Sequence, residues 1–257
     1  MFEQATDLIQ LTAVNLNFDQ NTTKNHVLKD IDLTINSGEF VCIIGPSGCG
    51  KTSLLNIIAG YQPVSSGTAL IKGEMITKPD WHRGVVFQHS SLYPWLTVEK
   101  NIAYGPTVRG LPQDEINNIV NQLLDIVQLE KYREYHPSQL SGGMQQRVAF
   151  AQTMANHPEI ILMDEPFSAL DSLTRKLLQD FIRQMWAINH QTILLITHDI
   201  EEALLLGTSI YVMGKEPGQI IDKIDVDYSR QILANGNSDV KDHNFHRLEK
   251  LIFDKIK

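Results

Sequence analysis

The 257-residue chain predicts an α/β fold with a mainly parallel sheet. Three solid apolar runs carry that expectation: Phe40-Val41-Cys42-Ile43-Ile44, Ile160-Ile161-Leu162-Met163 and Thr192-Ile193-Leu194-Leu195-Ile196. A strand with one wet face alternates apolar and polar residues, whereas a parallel strand covered by helices on both faces is apolar throughout. Each run also gives way to polar residues, at Gly45, at Asp164-Glu165 and at His198. In open α/β sheets ligands sit beyond the carboxyl ends of the strands, so those three exits are candidate sites.

The remaining elements follow in order. Residues 8–44 alternate apolar and polar positions with β-branched enrichment around a polar loop at 19–25, which reads as short strands and hairpins leading into the first solid run. Residues 53–59 read as a helix. A mainly helical block follows, with Ile116, Ile119, Val120, Leu123, Leu124 and Val127 at helical spacing behind Pro112 and Asp114, read as core. A further helix turns Leu177, Leu178, Phe181, Ile182 and Met185 inward as the crossover between the last two solid runs, with Trp186 as packing. After Tyr228 the chain becomes polar through Asn235-Gly236-Asn237-Ser238 and ends in an amphipathic stretch carrying Phe245, Leu248, Ile252 and Ile256.

Composition narrows the class. A hydrophobic content of 42% supports a substantial core, and a net charge of -8 argues against a surface built to bind nucleic acid. Cys42 and Cys49 lie too close for a disulfide framework and lack metal-ligand spacing, which fits a reducing compartment. The start Met1-Phe2-Glu3-Gln4-Ala5-Thr6-Asp7 lacks the basic and apolar regions of a secretory signal, and the apolar runs are too short to span a bilayer. Any membrane role is therefore expected to come through a partner.

Gly45-Pro46-Ser47-Gly48-Cys49-Gly50-Lys51-Thr52 matches G-x-x-x-x-G-K-[ST] between an expected strand and an expected helix, the context that gives this motif its meaning. Glycines let backbone N–H groups wrap phosphate oxygens, Lys51 neutralises the β/γ charge and the Thr52 hydroxyl suits magnesium. Asp164 is delivered by a buried strand toward the same metal. Glu165, one position further, suits a general base that orients and deprotonates water. Gln88 after Val85-Val86-Phe87 and His198 after the last strand are candidate γ-phosphate sensors. Leu140-Ser141-Gly142-Gly143-Met144-Gln145-Gln146-Arg147 is a second glycine turn running into a helix, a surplus phosphate cradle for one chain.

Taken in this order, the phosphate loop, Gln88, the Leu140 to Arg147 octet, Asp164-Glu165, the Ser168-Ala169-Leu170-Asp171 turn and His198 closely resemble the ATP-binding subunit of ABC transporters. The resemblance implies a P-loop NTPase core with a mainly parallel sheet, an antiparallel β subdomain and an inserted helical subdomain. It implies a nucleotide lobe over residues 1–89 and 153–228, a helical signature lobe over 90–152 and a tail over 229–257. It assigns Phe18 to stacking on adenine; Gly45, Pro46, Ser47, Gly48, Cys49, Gly50, Lys51, Thr52 and Ser53 to the phosphates; and Thr52, Gln88 and Asp164 to Mg. Glu165, His198, Gln88 and Lys51 are its expected catalytic residues.

The resemblance also explains the second turn. Ser141, Gly142 and Gly143 of one copy would close over ATP held by Lys51 of another in a head-to-tail homodimer, with Ser168 and Asp171 at that interface. Two membrane permease subunits, a substrate-binding protein acting indirectly, no nucleic acid and a peripheral position on the cytoplasmic face of the inner membrane are implied as well. Ser91-Leu92-Tyr93-Pro94-Trp95-Leu96-Thr97-Val98 and Glu216-Pro217-Gly218-Gln219-Ile220 look like the branch serving nitrate, sulfonate and taurine importers, the first stretch as a permease contact. The alternatives are a soluble or a lipid- or exporter-type ABC ATPase with another partner. Modification of the Cys49 thiol, inside the phosphate loop, is expected to block ATP binding.

Overall fold

The computed structural model describes residues 7–20, 23–88, 91–168, 170–215, 217–235 and 241–257. In chain order its elements begin with β1 (Asp7–Gln20), β2 (Thr23–Asn36), β3 (Phe40–Ile44), α1 (Lys51–Ala59), β4 (Ser66–Ile71), β5 (Glu74–Met75), β6 (Arg83–Val86), α2 (Val98–Val108) and α3 (Gln113–Ile126). They continue with α4 (Gly142–Met154), β7 (Ile160–Asp164), α5 (Ser172–Asn189), β8 (Thr192–Thr197), α6 (Ile200–Leu206), β9 (Ser209–Gly214), β10 (Gln219–Asp225), α7 (Tyr228–Asn235) and α8 (His243–Ile256). The chain divides into two units, Met1–Asp80 with Arg183–Lys257, and Trp81–Ile182. Met1-Phe2-Glu3-Gln4-Ala5-Thr6, Ala169, Glu216 and Gly236-Asn237-Ser238, named in the sequence expectations, lie outside the described residues, as does residue 90 at the start of the expected helical lobe.

In the first unit β3 lies parallel to β8 on one side and to β9 on the other, and β10 closes on β9 antiparallel. Every residue of β3 and β8 is buried, as the solid apolar runs require. Trp186 packs its ring edge-on to Phe40 at 6.0 Å and donates its indole N–H to Gly38 O at 2.8 Å. A separate antiparallel sheet has the order β2-β1-β4-β5. Its β1 and β2 are 14 residues each, not the short strands expected from the sequence. Ala13 and Asp30 both take φ of 46°, and register shifts fall around Ala13. Asp32 Oδ1 accepts Ala13 N at 2.8 Å and Asn15 Oδ1 accepts Asp30 N at 3.1 Å, so polar side chains satisfy the bulged backbone and the strands continue through it.

In the second unit β6 and β7 pair in parallel, from Arg83 with Ile160 to Val86 with Met163. Helix α4 lies on β6: the Thr153 hydroxyl donates to Val85 O at 3.2 Å, and at Gly84 a Cβ would sit 2.5 Å from Thr153 Cγ2, a close approach that only glycine permits. The apolar stripe of α3 is buried at Ile116, Ile119, Val120, Leu123 and Leu124. Helix α2 starts at Thr97, whose hydroxyl accepts Lys100 N at 3.3 Å. In α5, Leu178 and Ile182 are buried but Leu177 is 48% exposed. The buried line repeats every four residues, Leu178, Ile182, Trp186, and Leu177 stands about 100° around the helix from Leu178.

Candidate functional site

The phosphate loop belongs to the first unit. It leaves β3 after Ile44, which pairs with Thr197 of β8, so Gly45 and His198 exit from adjacent strands at the same level. Helix α1 has Gly50 as N-cap, at φ 94°, with no side-chain cap. Its first-turn N–H groups are therefore left for an anion rather than closed by a Ser or Asp side chain. Buried Lys51 curls over the loop, its Nζ donating to Gly45 O at 2.8 Å and Pro46 O at 3.0 Å. Ser47, Gly48 and Thr52 are exposed, and Pro46 and Ser53 half-buried.

The loop is backed by close main-chain packing. A Cβ on Gly45 would sit 2.5 Å from Met213 O, and one on Gly50 2.6 Å from Leu28 Cδ2. Gly218, from the turn that looked like a branch marker, lies against Cys49 O and donates to Val27 O at 3.1 Å, bracing the loop from behind. Cys49 is only 1% exposed with its Sγ 3.9 Å from Lys51 Nζ. Modification of that thiol thus requires the loop to open, which the sequence could not reveal.

His198 is exposed at the end of β8, and the turn that presents it is fixed by its neighbours. The Thr197 hydroxyl donates to Glu202 Oε2 at 2.7 Å and accepts Asp199 N at 3.0 Å, while Asp199 Oδ1 accepts Glu202 N at 3.1 Å. Burial, with the Glu202 carboxylate adding to it, pushes the nearby Cys42 thiol far up, so it is inert. Phe18, on β1, is 41% exposed, so it is not a core residue.

The acidic exit belongs to the second unit. Gln88 and Glu165 each lie two residues beyond the Val86–Met163 pair, and Gln88 Nε2 donates to Glu165 Oε2 at 3.4 Å. Asp164 is buried at the end of β7. Glu165 has φ of 47° ahead of Pro166, a left-handed backbone that costs a side-chain-bearing residue about 1–2 kcal/mol. The Ser168 hydroxyl, donating to Glu165 O at 3.0 Å, helps hold that turn. A buried carboxylate beside a half-exposed one, with an amide at its oxygen, has the donor set for a hard cation and an ordered water.

Ser141 caps α4, its hydroxyl accepting Met144 N at 3.3 Å, and Ser141 and Gly142 face solvent. A Cβ on Gly142 would meet nothing within 4 Å, so the turn has open space in front of it. Asp171 caps α5 through Thr174 N at 3.0 Å and Leu173 N at 3.1 Å, and the Thr174 bonds, then that of Leu173, hold its carboxyl below the usual range. Burial lowers the Arg147 guanidinium, which the Asp171 charge opposes.

Two buried amides were missed by sequence reasoning. Gln146 Nε2 donates to Phe87 O at 3.0 Å, tying the octet's helix to the peptide before Gln88. Asn101 is 0% exposed at the foot of the aromatic stretch. Its sequence signal was an uncharged amide in line with Val98 and Ile102 on the inward face of α2.

A lysine-bearing glycine loop between strand and helix, on an α/β sheet with a parallel centre, defines a P-loop nucleotide-binding protein. Residues 28–168 match the family model described as ABC transporter, and the chain belongs to that family. It is 44% identical over 216 residues to the taurine import ATP-binding protein of Roseobacter denitrificans, covering 84% of this chain and 81% of that one. It is 42% identical over 212 residues to the nitrate import ATP-binding protein of Synechocystis sp., covering 82% and 80%. A dimeric ATP-binding cassette solved in a post-hydrolysis state, bound to ADP and phosphate, matches with a TM-score of 0.78 and 31% identity over 85% of this chain and 99% of that one. The chain is an ATP-binding, ATP-hydrolysing subunit with a P-loop NTPase core, an antiparallel β subdomain and an inserted helical subdomain.

Proposed function

We propose that the chain energises an ABC importer for nitrate, sulfonate, taurine or a similar small solute, as a homodimer bound to two permease subunits on the cytoplasmic face of the inner membrane. A substrate-binding protein completes the system and nucleic acid plays no part. The observation that carries this reading is the uncapped, lysine-covered phosphate loop in a chain related over more than four-fifths of its length to import ATP-binding proteins. No described helix is long and apolar enough to cross a membrane; in this reading attachment runs through the permease.

In this reading residues 1–89 and 153–228 are the nucleotide lobe, 90–152 the signature lobe and 229–257 a tail. Phe18 stacks on adenine, an arrangement favoured by its exposed ring. The backbone of Gly45, Pro46, Ser47, Gly48, Cys49, Gly50, Lys51, Thr52 and Ser53 takes the phosphates, and Lys51 exchanges its loop carbonyls for phosphate oxygens. The exposed Thr52 hydroxyl, the Asp164 carboxylate and the Gln88 amide oxygen are the hard oxygen donors Mg requires. Mg would offset charge on the phosphate oxygens. Glu165 takes the proton of the attacking water, Gln88 orients that carboxylate, and His198 holds the γ-phosphate. Ser141, Gly142 and Gly143 of the second copy close the site in trans; their solvent-facing turn favours this.

The test is reconstitution with a permease pair in lipid vesicles. ATP-dependent uptake of taurine, an alkanesulfonate or nitrate is expected when the cognate binding protein is present. Hydrolysis that no permease alters would remove the transport reading.

A further inference from the structure

Asn101 is fully buried on α2, and a buried carboxamide must find partners for two donors and its acceptor lone pairs. It spends nearly all of them on one loop. Its Nδ2 donates to Thr97 O at 3.0 Å, Leu96 O at 3.1 Å and Tyr93 O at 3.2 Å, and its Oδ1 accepts Tyr93 N at 2.8 Å. The Gln152 Nε2 of α4 approaches the same Oδ1 at 3.5 Å. Helix α2 is also seated on the end of α4, where Gly105 lies against the Asn156 side chain and Arg109 Nη1 donates to Asn156 O at 3.0 Å.

The loop so held carries an outward aromatic face. Trp95 is 71% exposed and Tyr104 42%, with the Tyr93 ring between them, 5.7 Å from the first and 4.4 Å from the second. Exposed rings clustered on a rigid base are what protein interfaces use as anchors, because little entropy is left to lose on contact. An aliphatic residue at 101 would fill the space, and Tyr93 O and Thr97 O would keep the backbone donors Leu96 N and Asn101 N, but Leu96 O would lose its side-chain donor and Tyr93 N its acceptor.

We propose that Asn101 is a positioning residue for permease docking: it holds the Tyr93–Trp95 loop in one shape before contact and joins that loop to α4, the helix capped by Ser141. This inference rests on the reading of the chain as a permease-bound subunit. It assigns Asn101 no part in binding or hydrolysing ATP.

The test uses the complex with its permease pair in detergent and in vesicles, comparing wild type with Asn101→Asp, Asn101→Ala and Trp95→Ala. Asn101→Asp keeps size and the Oδ1 acceptor while turning a second acceptor toward three carbonyls. ATP affinity and basal hydrolysis of the isolated variants are expected to stay within about twofold, while permease capture and permease-stimulated hydrolysis fall about tenfold or more, as for Trp95→Ala. Capture and stimulation of Asn101→Asp at wild-type levels would overturn the inference. So would failure of both Asn101 variants to fold, since a docking pin leaves the α2 and α4 core intact. If wild type itself captures no permease while hydrolysing ATP, the transport reading fails first.

Discussion

Gln88 Nε2 donates to Glu165 Oε2 at 3.4 Å, joining the residues that follow two paired parallel strands by equal steps. One side of the Glu165 carboxylate is thereby oriented by a neutral amide. Gln88→Ala is expected to lower kcat about 10- to 100-fold, with ATP affinity falling only a few-fold, in steady-state hydrolysis. An unchanged kcat would mean Glu165 is oriented by other groups.

The glycines of the phosphate loop are not equivalent. Gly48 has φ of 80° with open space beyond it, whereas Gly50 has φ of 94° and Leu28 Cδ2 2.6 Å from any added Cβ. Gly48→Ala should cost about 1 kcal/mol of backbone strain, and Gly50→Ala roughly 2–4 kcal/mol because overpacking adds to it. Urea unfolding midpoints measure the difference, and equal midpoints would contradict it.

Much of this was legible in the sequence because buried parallel strands are written as solid apolar runs: Phe40–Ile44 is β3 residue for residue. The phosphate loop and its helix followed from spacing alone. The lengths of β1 and β2 were hidden because continuity depends on Asp32 and Asn15 capping a bulge across strands, a pairing no local window contains. Burial of Cys49 was hidden because Gly218, nearly 170 residues away, covers the loop from behind. Asn101 escaped because its place in line with Val98 and Ile102 marks it as inward but not which loop its amide holds.

Asp171 gives a pH-dependent prediction. Its folded carboxyl lies below the usual range because Thr174 and Leu173 donate to it, so its cap stabilises the fold fully above the ordinary carboxylate pKa of about 3.9. The contribution is lost as pH falls through the lower folded value. Asp171→Ala should therefore lower the urea midpoint by the same amount at pH 7 and pH 5, and by less at pH 3.5. A gap that widened on acidification would show that the cap does not act as an ionised acceptor.

Ser141 separates cis from trans roles. Ser141→Arg removes the α4 cap, costing about 1 kcal/mol, and sets a bulky cation on a solvent-facing turn. Nucleotide titration of the monomer should change little, while ATP-dependent dimerisation by light scattering and hydrolysis should both be lost. Weakened binding by the monomer would return the turn to a cis phosphate contact.

The central claim is that Glu165 takes the proton of the attacking water. Glu165→Gln keeps the size of the side chain, the left-handed backbone and an oxygen for the Gln88 amide, and removes only the base. Single-turnover hydrolysis with bound ATP measured is the direct test: binding should persist, an ATP-held dimer should accumulate, and the rate should fall about 10³-fold. Turnover within a few-fold of wild type, with ATP equally bound, would contradict the account.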